Sequence, residues 1–314
     1  MTTESIQKAV FGKPSKKLKI GDRELTLEGN YEFNDFLNAV AKESKSRLDL
    51  VDKKCTPFVK WVGGKRSILP EIKKHFPSNF DNYYEPFIGG GAIFFELGHK
   101  NSFISDLNLE LITTYLVIKK DVAELINILK KHKENHCEEY FYKVRSGQFL
   151  ENPIEVAARF IYLNKTCYNG LYRVNKKNEF NAPFGKYKNP NIVDEDNIKL
   201  CHQCLKNADI KYQSYDAIKP KKGDLVYFDP PYHNTFLGYN ANTFDESKQI
   251  ELRNFCDKLT KKDVKFILSN SDTDFIREQY KSYKICEITA PRFINCKASN
   301  RKGGKELLIL NYEN

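Results

Sequence analysis

The chain has 314 residues, 40% of them hydrophobic and 29% charged, and its formal net charge is +10. That length accommodates about two domains, and 18 tyrosines with 22 phenylalanines exclude wholesale disorder. No apolar run approaches the ~18 residues of a membrane span, no apolar leader opens the chain, and eight cysteines without a repeated spacing read as reduced thiols, so a cytoplasmic protein without a membrane partner is expected.

The positive charge is concentrated. Residues 157–190 hold seven basic residues and one acidic, and residues 291–305 hold five basic and none acidic. Two such windows suggest a polyanion partner, of which nucleic acid is the commonest; a solvated basic face is the other reading.

Residues 1–56 are polar and nearly balanced in charge, and they read as an appendage. Within them YEFNDFLNAVAKES, 31–44, places Phe33, Phe36, Leu37 and Val40 at helical spacing and predicts a short amphipathic helix. From residue 57, PFVKWVGGKRSILPEI joins an apolar segment to a Gly-Gly turn and a helix. FDNYYEPFIGGGAIFFEL reads as strand, glycine-rich loop and helix, and NSFISD, 101–106, as a second short strand. LNLELITTYLVIKK and DVAELINILKKHK carry apolar residues at helical period, and 108–209 reads as mostly helical up to the basic, aromatic window. Beyond it KKGDLVYFDPPY predicts a strand and a proline turn, ESKQIELRNFCDKL a helix, and VKFILSNS and ELLILNY strands. Strands alternating with helices predict an α/β domain with a largely parallel sheet, interrupted by an inserted helical segment.

Two motifs carry chemistry. Gly89, Gly90 and Gly91 stand between an apolar strand and an apolar helix, where a backbone without Cβ atoms approaches a ligand closely and a helix start offers free N–H groups. Asp106 closes the next strand, a position suited to ribose hydroxyls. Gly-Gly-Gly departs from G-x-G-x-x-G, so a structural turn stays open beside a nucleotide-cofactor loop. DLVYFDPPYHN, 224–234, ends an apolar strand on Asp229-Pro230-Pro231-Tyr232. The Asp229 carboxylate and the Pro230 carbonyl are two stiffly held acceptors, matched to the two hydrogens of an exocyclic amine, and Tyr232 is a stacking surface for a planar base. An ordinary proline turn is the alternative.

Taken in order, Phe58, Lys60, Trp61, Gly63-Gly64-Lys65, EPFIGGGAIFF, SDLN (105–108) and DPPY resemble the Dam-type DNA adenine-N6 methyltransferases. The block YLNKTCYNGLYRVNKKNEFNAPFGKYKNP, 162–190, is similar to that family's recognition segment almost word for word. The resemblance covers 57–314 and leaves 1–56 outside. It implies a Rossmann-like class I methyltransferase sheet, built from 57–107 and 210–314, with an inserted, mainly helical target-recognition domain at 108–209. It implies S-adenosylmethionine as methyl donor, no metal, and double-stranded DNA as substrate.

By the same resemblance, Trp61 and Lys65 line the cofactor pocket, Phe87, Gly89 and Gly91 flank the methionine part, Asp106 binds the ribose and Asp216 lies near the cofactor adenine. Asp229, Pro230 and Tyr232 match the catalytic tetrapeptide, Asp229 also bordering the cofactor. On the DNA side Arg173 matches the arginine that reads a guanine, Leu171 and Pro183 contact thymine, Tyr168 and Asn169 wedge beside the flipped base, and Lys60 contacts the first guanine. Lys186 stands where the family often has arginine; lysine keeps the phosphate attraction and loses the planar fork. Tyr187 also faces DNA, and the remaining rings of 157–190 are core. Together these residues imply GATC, or a longer site sharing G-A-T. No obligatory protein partner is implied, and a solitary methylase and the protective half of a restriction system both fit.

Other features weigh less. Cys201-His202-Gln203-Cys204 is a lone C-x-x-C, read as packing cysteines on a helix because a structural zinc needs four ligands. His233 beside the DPPY turn reads as a local hydrogen-bonding residue. The competing functions are an N4-cytosine or RNA-base methyltransferase, which the motif order and recognition block oppose, and a non-catalytic DNA-binding protein, which the undamaged cofactor motif opposes.

Overall fold

The alternating strands and helices assemble into a seven-stranded sheet in the computed structural model, which describes residues 54–147, 151–177, 179–234, 244–290 and 304–313 and the backbone of 16–20 and 23–27. The chain divides into two units, Met1–Lys54 and Cys55–Asn314. In the first, β1 (Lys16–Ile20) and β2 (Arg23–Leu27) form an antiparallel hairpin with Ile20 opposite Arg23. Alternating Leu-Lys-Ile and Glu-Leu-Thr-Leu around Gly21-Asp22 is a two-residue hairpin signal that the reading above passed over. The helix expected over 31–44 lies outside the described residues.

The second unit holds β3 (Tyr83–Glu85), β4 (Ser102–Asp106), β5 (Asp209–Tyr212), β6 (Leu225–Phe228), β7 (Lys265–Ser271), β8 (Lys284–Ala290) and β9 (Gly304–Leu310) in the order β5-β4-β3-β6-β7-β9-β8. Strands β3 to β7 run parallel, and β9 is antiparallel to both its neighbours. Tyr83-Tyr84-Glu85 and Leu225-Val226-Tyr227-Phe228 are buried throughout, as central parallel strands covered on both faces must be. Their side chains alternate between two cores: Tyr83, Leu225 and Tyr227 join one, Tyr84, Val226 and Phe228 the other. The edge strands β5 and β8 were not anticipated, because DIKY and KICEITA carry the charged and alternating residues of edges, not apolar runs.

Between β4 and β5 the chain forms α3 (Leu109–Lys120), α4 (Val122–Glu134), α5 (Glu138–Ser146), α6 (Pro153–Thr166) and α7 (Glu195–Leu205), numbered after α1 (Leu69–Lys73) and α2 (Ala92–Leu97). Helix α3 starts at Asn108, whose side chain accepts from Leu111 N at 3.0 Å; α6 starts at Asn152, which accepts from Ile154 N at 2.9 Å, with Pro153 in the first turn. Ala157 to Asn164 are all buried, so α6 is the axis of the insertion. Its one buried charge, Arg159, is satisfied by Glu110 Oε1 at 3.0 Å and the carbonyls of Val144 and Arg145. Leu111, Leu125, Phe141, Phe160 and Ile198 belong to the same core as Tyr83 and Leu225, so the inserted helices share an interior with one face of the sheet. Two more helices, α8 (Glu246–Lys261) and α9 (Asp274–Gln279), follow β6 and β7.

Candidate active site

Strand order reverses between β3, whose next neighbour on one side is β4, and β6, whose next neighbour on the other is β7. At such a switch point the loops leaving the two strand ends diverge and leave a crevice. Pro86-Phe87-Ile88-Gly89 leaves β3 there, and Asp229-Pro230-Pro231-Tyr232 leaves β6.

The glycine loop is shaped by its neighbours. Gly89 has φ +45°, and a Cβ there would lie 2.6 Å from Trp61 Cδ1; Gly91 has φ +73°, and a Cβ would lie 2.6 Å from the Tyr115 hydroxyl. Both positions thus require glycine for conformation and for space. Gly89 N donates to Asp106 Oδ2 at 3.1 Å, Asn108 N donates to Asp106 Oδ1 at 3.0 Å, and the Tyr115 hydroxyl donates to Gly89 O at 3.0 Å. Burial pushes the Asp106 carboxyl up, and the N–H groups of Gly89, Asn108 and Leu107 pull it back. Asp106 therefore ties the loop to β4, and a carboxylate, with about four lone-pair sites, keeps acceptor capacity for a ligand beyond these bonds.

Across the crevice Lys65 is buried, its Nζ 2.7 Å from Asp229 Oδ1 and donating at 2.6 Å to Gly63 O. The same ammonium lies 4.9 Å from the centre of the Tyr232 ring, and the Tyr232 hydroxyl donates to Glu306 Oε2 at 2.7 Å. Burial pushes the Asp229 carboxyl up, the Lys65 charge and hydrogen bond draw it down, and Glu306 raises it. Behind them Glu85 is buried on β3, accepts from the Tyr83 hydroxyl at 2.7 Å, and is pushed up to about 8 by burial, against the hydrogen bond from Tyr83. His233 is buried away from this chemistry: its backbone N donates to Asn270 Oδ1 at 3.0 Å, and its ring meets Thr273 Oγ1 at 2.9 Å and Glu246 Oε1 at 3.3 Å, the local role expected of it.

One wall is aromatic and apolar. Phe87 stacks on Tyr215 with centroids 5.5 Å apart, and Asp216 stands exposed in the same short turn. Leu107, next to Asp106, is 61% exposed. A buried cation, carboxylates, turned-out backbone and a flat apolar wall suit an amphiphilic ligand with charged and planar ends.

The insertion presents the expected nucleic-acid residues on one continuous framework. Asn164, at the end of α6, accepts from Lys60 N at 2.8 Å and donates to Lys60 O at 2.9 Å and Gly170 O at 3.1 Å. It thereby locks the Lys60–Trp61 segment to the loop that carries Tyr168, 56% exposed, Asn169, left-handed at φ 57°, and Leu171, 37% exposed. Lys60 Nζ lies 5.3 Å from the Tyr187 ring, Tyr168 N donates to Pro183 O at 2.8 Å, and Lys186 is exposed at φ 52°. Arg173 is exposed and pre-set: its Nε donates to Asn181 Oδ1 at 2.6 Å and its Nη2 to Asn181 O at 3.0 Å. Trp61 stacks on Tyr172 at 5.6 Å, whose hydroxyl donates to Glu110 Oε2 at 2.9 Å, joining the Lys60–Trp61 segment to the insertion. Phe160, Tyr162 and Phe180 are core, as expected. The basic window 291–305 lies, up to residue 303, outside the described residues.

Sequence reasoning passed over Glu85, Asn164, Tyr172, Asn181 and Glu306. The first sits inside EPFIGGG, and Asn164 and Asn181 inside the recognition block, so their signal was position in a motif; Glu306 carried none. The C-x-x-C cysteines pack on α7, Cys201 buried and Cys204 half-buried. Cys55 Sγ lies 3.4 Å from Cys201 Sγ on α7, and the thiols of Cys55 and Cys204 are pushed up, chiefly by hydrogen bonding to Cys201 and to Cys55 respectively. Among the described residues no group of three or more His, Cys, Asp or Glu is arranged to hold a metal, and no helix is long and apolar enough to cross a membrane.

The family model for D12 class N6 adenine-specific DNA methyltransferases matches residues 61–294. The chain is 43% identical over 286 residues to the type II methyltransferase M.MjaIII of Methanocaldococcus jannaschii, covering 82% of this chain and 99% of that one. It is 41% identical over 272 residues to the type II methyltransferase M1.LlaDCHI of Lactococcus lactis subsp. cremoris, covering 82% and 96%. It is 32% identical over 268 residues to the DNA adenine methylase of Escherichia coli K12, again covering 82% and 96%. The match runs from Trp61 through Lys65, the glycine loop, the insertion and the DPPY turn, and the chain belongs to the D12 class of N6 adenine-specific DNA methyltransferases.

Proposed function

We propose that this chain transfers a methyl group from S-adenosylmethionine to the N6 amine of an adenine flipped out of duplex DNA, within GATC. The observation that carries the reading is the position of Asp229-Pro230-Pro231-Tyr232 at the strand switch point, opposite the glycine loop and against the buried Lys65. The donor set fits that cofactor. Lys65 would hold its carboxylate, Asp106 its ribose hydroxyls, and Phe87 with the Asp216 turn its adenine, while Trp61, Gly89 and Gly91 shape the wall.

The bound cofactor supplies an electrophilic methyl group, so the protein's work is to place and polarise the acceptor. Flipping the adenine costs a few kcal/mol of unstacking, offset by stacking on Tyr232 and by Tyr168 and Asn169 filling the space left in the duplex. Asp229 and the Pro230 carbonyl then accept the two N–H bonds of the amine. Asp229 Oδ1 is held by Lys65, and its lone pairs beyond that contact serve the amine. The carboxylate stabilises positive charge developing on nitrogen, and the surplus proton passes to solvent. Arg173 reads a guanine, Leu171 and Pro183 the thymine methyl, Lys60 the first guanine, and Lys186 and Tyr187 the backbone beside them.

Plasmid DNA incubated with the protein and S-adenosylmethionine tests this directly. It should become resistant to an endonuclease that cuts only unmethylated GATC and sensitive to one that cuts only its adenine-methylated form. Methyl groups found on cytosine, or on adenines outside GATC alone, would overturn the reading.

A further inference from the structure

Tyr232 meets Glu306 on a strand that lies beyond the segment matched by the family model. Strand β9 begins ten residues beyond the matched segment, 61–294, and it runs antiparallel to β7. Antiparallel direction is decisive. The parallel strands end at the crevice, so a strand running the other way begins there, and its earliest residues lie at the active edge. Glu306 is the third residue of β9, opposite Ser271 at the end of β7 and Ile288 on β8. It is half-buried, and the hydroxyl of Tyr232 donates to its Oε2 at 2.7 Å.

We propose that Glu306 is a positioning residue for the base-stacking ring: its carboxylate, delivered by the last strand, anchors the far end of Tyr232 so that the ring stands ready to receive the adenine. This rests on the function proposed above. The hydroxyl lies on the axis about which a tyrosine ring turns, so a bond there fixes where that axis points. Lys65 Nζ lies 4.9 Å from the ring centre and is itself paired with Asp229 at 2.7 Å. Asp229, Lys65, Tyr232 and Glu306 therefore form one chain of alternating charge through the ring. A tyrosine hydrogen-bonded to a carboxylate is also richer in electrons than a free one, which strengthens its attraction to an amine gaining positive charge.

The isosteric cycle Tyr232→Phe, Glu306→Gln and the double variant tests this on the full chain, with a GATC duplex oligonucleotide and radiolabelled S-adenosylmethionine. Tyr232→Phe should lower kcat about tenfold, the scale of one hydrogen bond to a charged group, with cofactor Kd within about twofold. Glu306→Gln should lower kcat about threefold to fivefold, because the amide oxygen still accepts but carries no charge. The double variant should match Tyr232→Phe alone, since without the hydroxyl the carboxylate has nothing to hold. If Glu306→Gln lowers kcat by the same factor in both backgrounds, or leaves wild-type kcat unchanged, the proposal is overturned. Wild type and Asp229→Ala run alongside separate this from failure of the function itself: an inactive wild type sinks that reading, whereas an active wild type with a silent Glu306→Gln sinks only this one.

Discussion

Asp229 and Lys65 together set how the reaction should respond to pH. Burial holds a proton on Asp229 to higher pH than an ordinary carboxyl, and the ammonium of Lys65 opposes it. In the proposed reaction the anion is needed to stabilise charge developing on the amine, so activity should fall as pH falls through that raised value, and the acid limb of kcat/KM should sit above the usual carboxylate range of about 4. Lys65→Met removes the opposing charge and should move the limb to still higher pH, measured at saturating cofactor; Asp229→Ala should abolish turnover with an unchanged thermal melt. Arg173 makes the second residue-level expectation. Asn181 occupies the side-on edge of its guanidinium through Nε and Nη2, which leaves the end-on edge for the guanine of the proposed reading. Arg173→Ala should reduce discrimination at one guanine about tenfold to a hundredfold. Asn181→Ala should reduce it about twofold to tenfold by unfixing the fork. Lys176→Ala should slow every sequence alike and lower the salt slope by about one. Methylation of GATC against single-base variants at one salt concentration reads all three.

At the scale of elements, β3 pairs a structural demand with a chemical one. Glu85 must be buried because β3 lies between β4 and β6, and its pKa is pushed to about 8 in the folded protein against about 4 unfolded. Below both values neither state differs in protonation. Between them the folded protein keeps a proton that the unfolded chain releases, so this residue's contribution to stability falls as pH rises from about 4 to about 8. Glu85→Gln lacks that slope. Thermal melts at about pH 5 and pH 8.5 should show the wild type losing more stability than the variant, by a few kcal/mol; parallel losses would place the proton elsewhere. The central strands, the glycine loop and the DPPY turn were legible in sequence because buried parallel strands are largely apolar and the turns that leave them need glycine or proline. The edges β5 and β8 were not, since half-exposed strands mix charge with apolar residues as loops do, and Glu306 was invisible because its importance comes from strand direction, which no local pattern records.

For the whole molecule, the chain's division after Lys54 moves the expected boundary by two residues. Thr56 N and Oγ1 donate to Asn197 Oδ1 at 2.9 and 3.1 Å, Asn197 Nδ2 donates back to Thr56 O, and Cys55 meets Cys201, so residues 55 and 56 are part of the second unit. Deleting 1–54 should therefore leave methylation of GATC plasmid within about twofold of the full chain, while deleting 1–56 unpairs the buried side chain of Asn197 and should lower the melting temperature by a few degrees, on the scale of about 1–2 kcal/mol. An inactive 1–54 deletion, assayed with the same plasmid, would show that the first unit takes part in turnover.

The strand that enters the sheet between β7 and β8 follows both of them in the chain. Translation delivers β8 before β9 exists, and among the described strands β8 is bonded to β9 alone. A nascent chain thus owns Asp229, Lys65 and the glycine loop while two strands of the seven-stranded sheet still lack their places, and the gap beside β7 stays open until Gly304–Leu310 has left the ribosome. A chain that stops before Gly304 should therefore keep an open sheet edge at β7 and be recovered as aggregate and not as a slower enzyme.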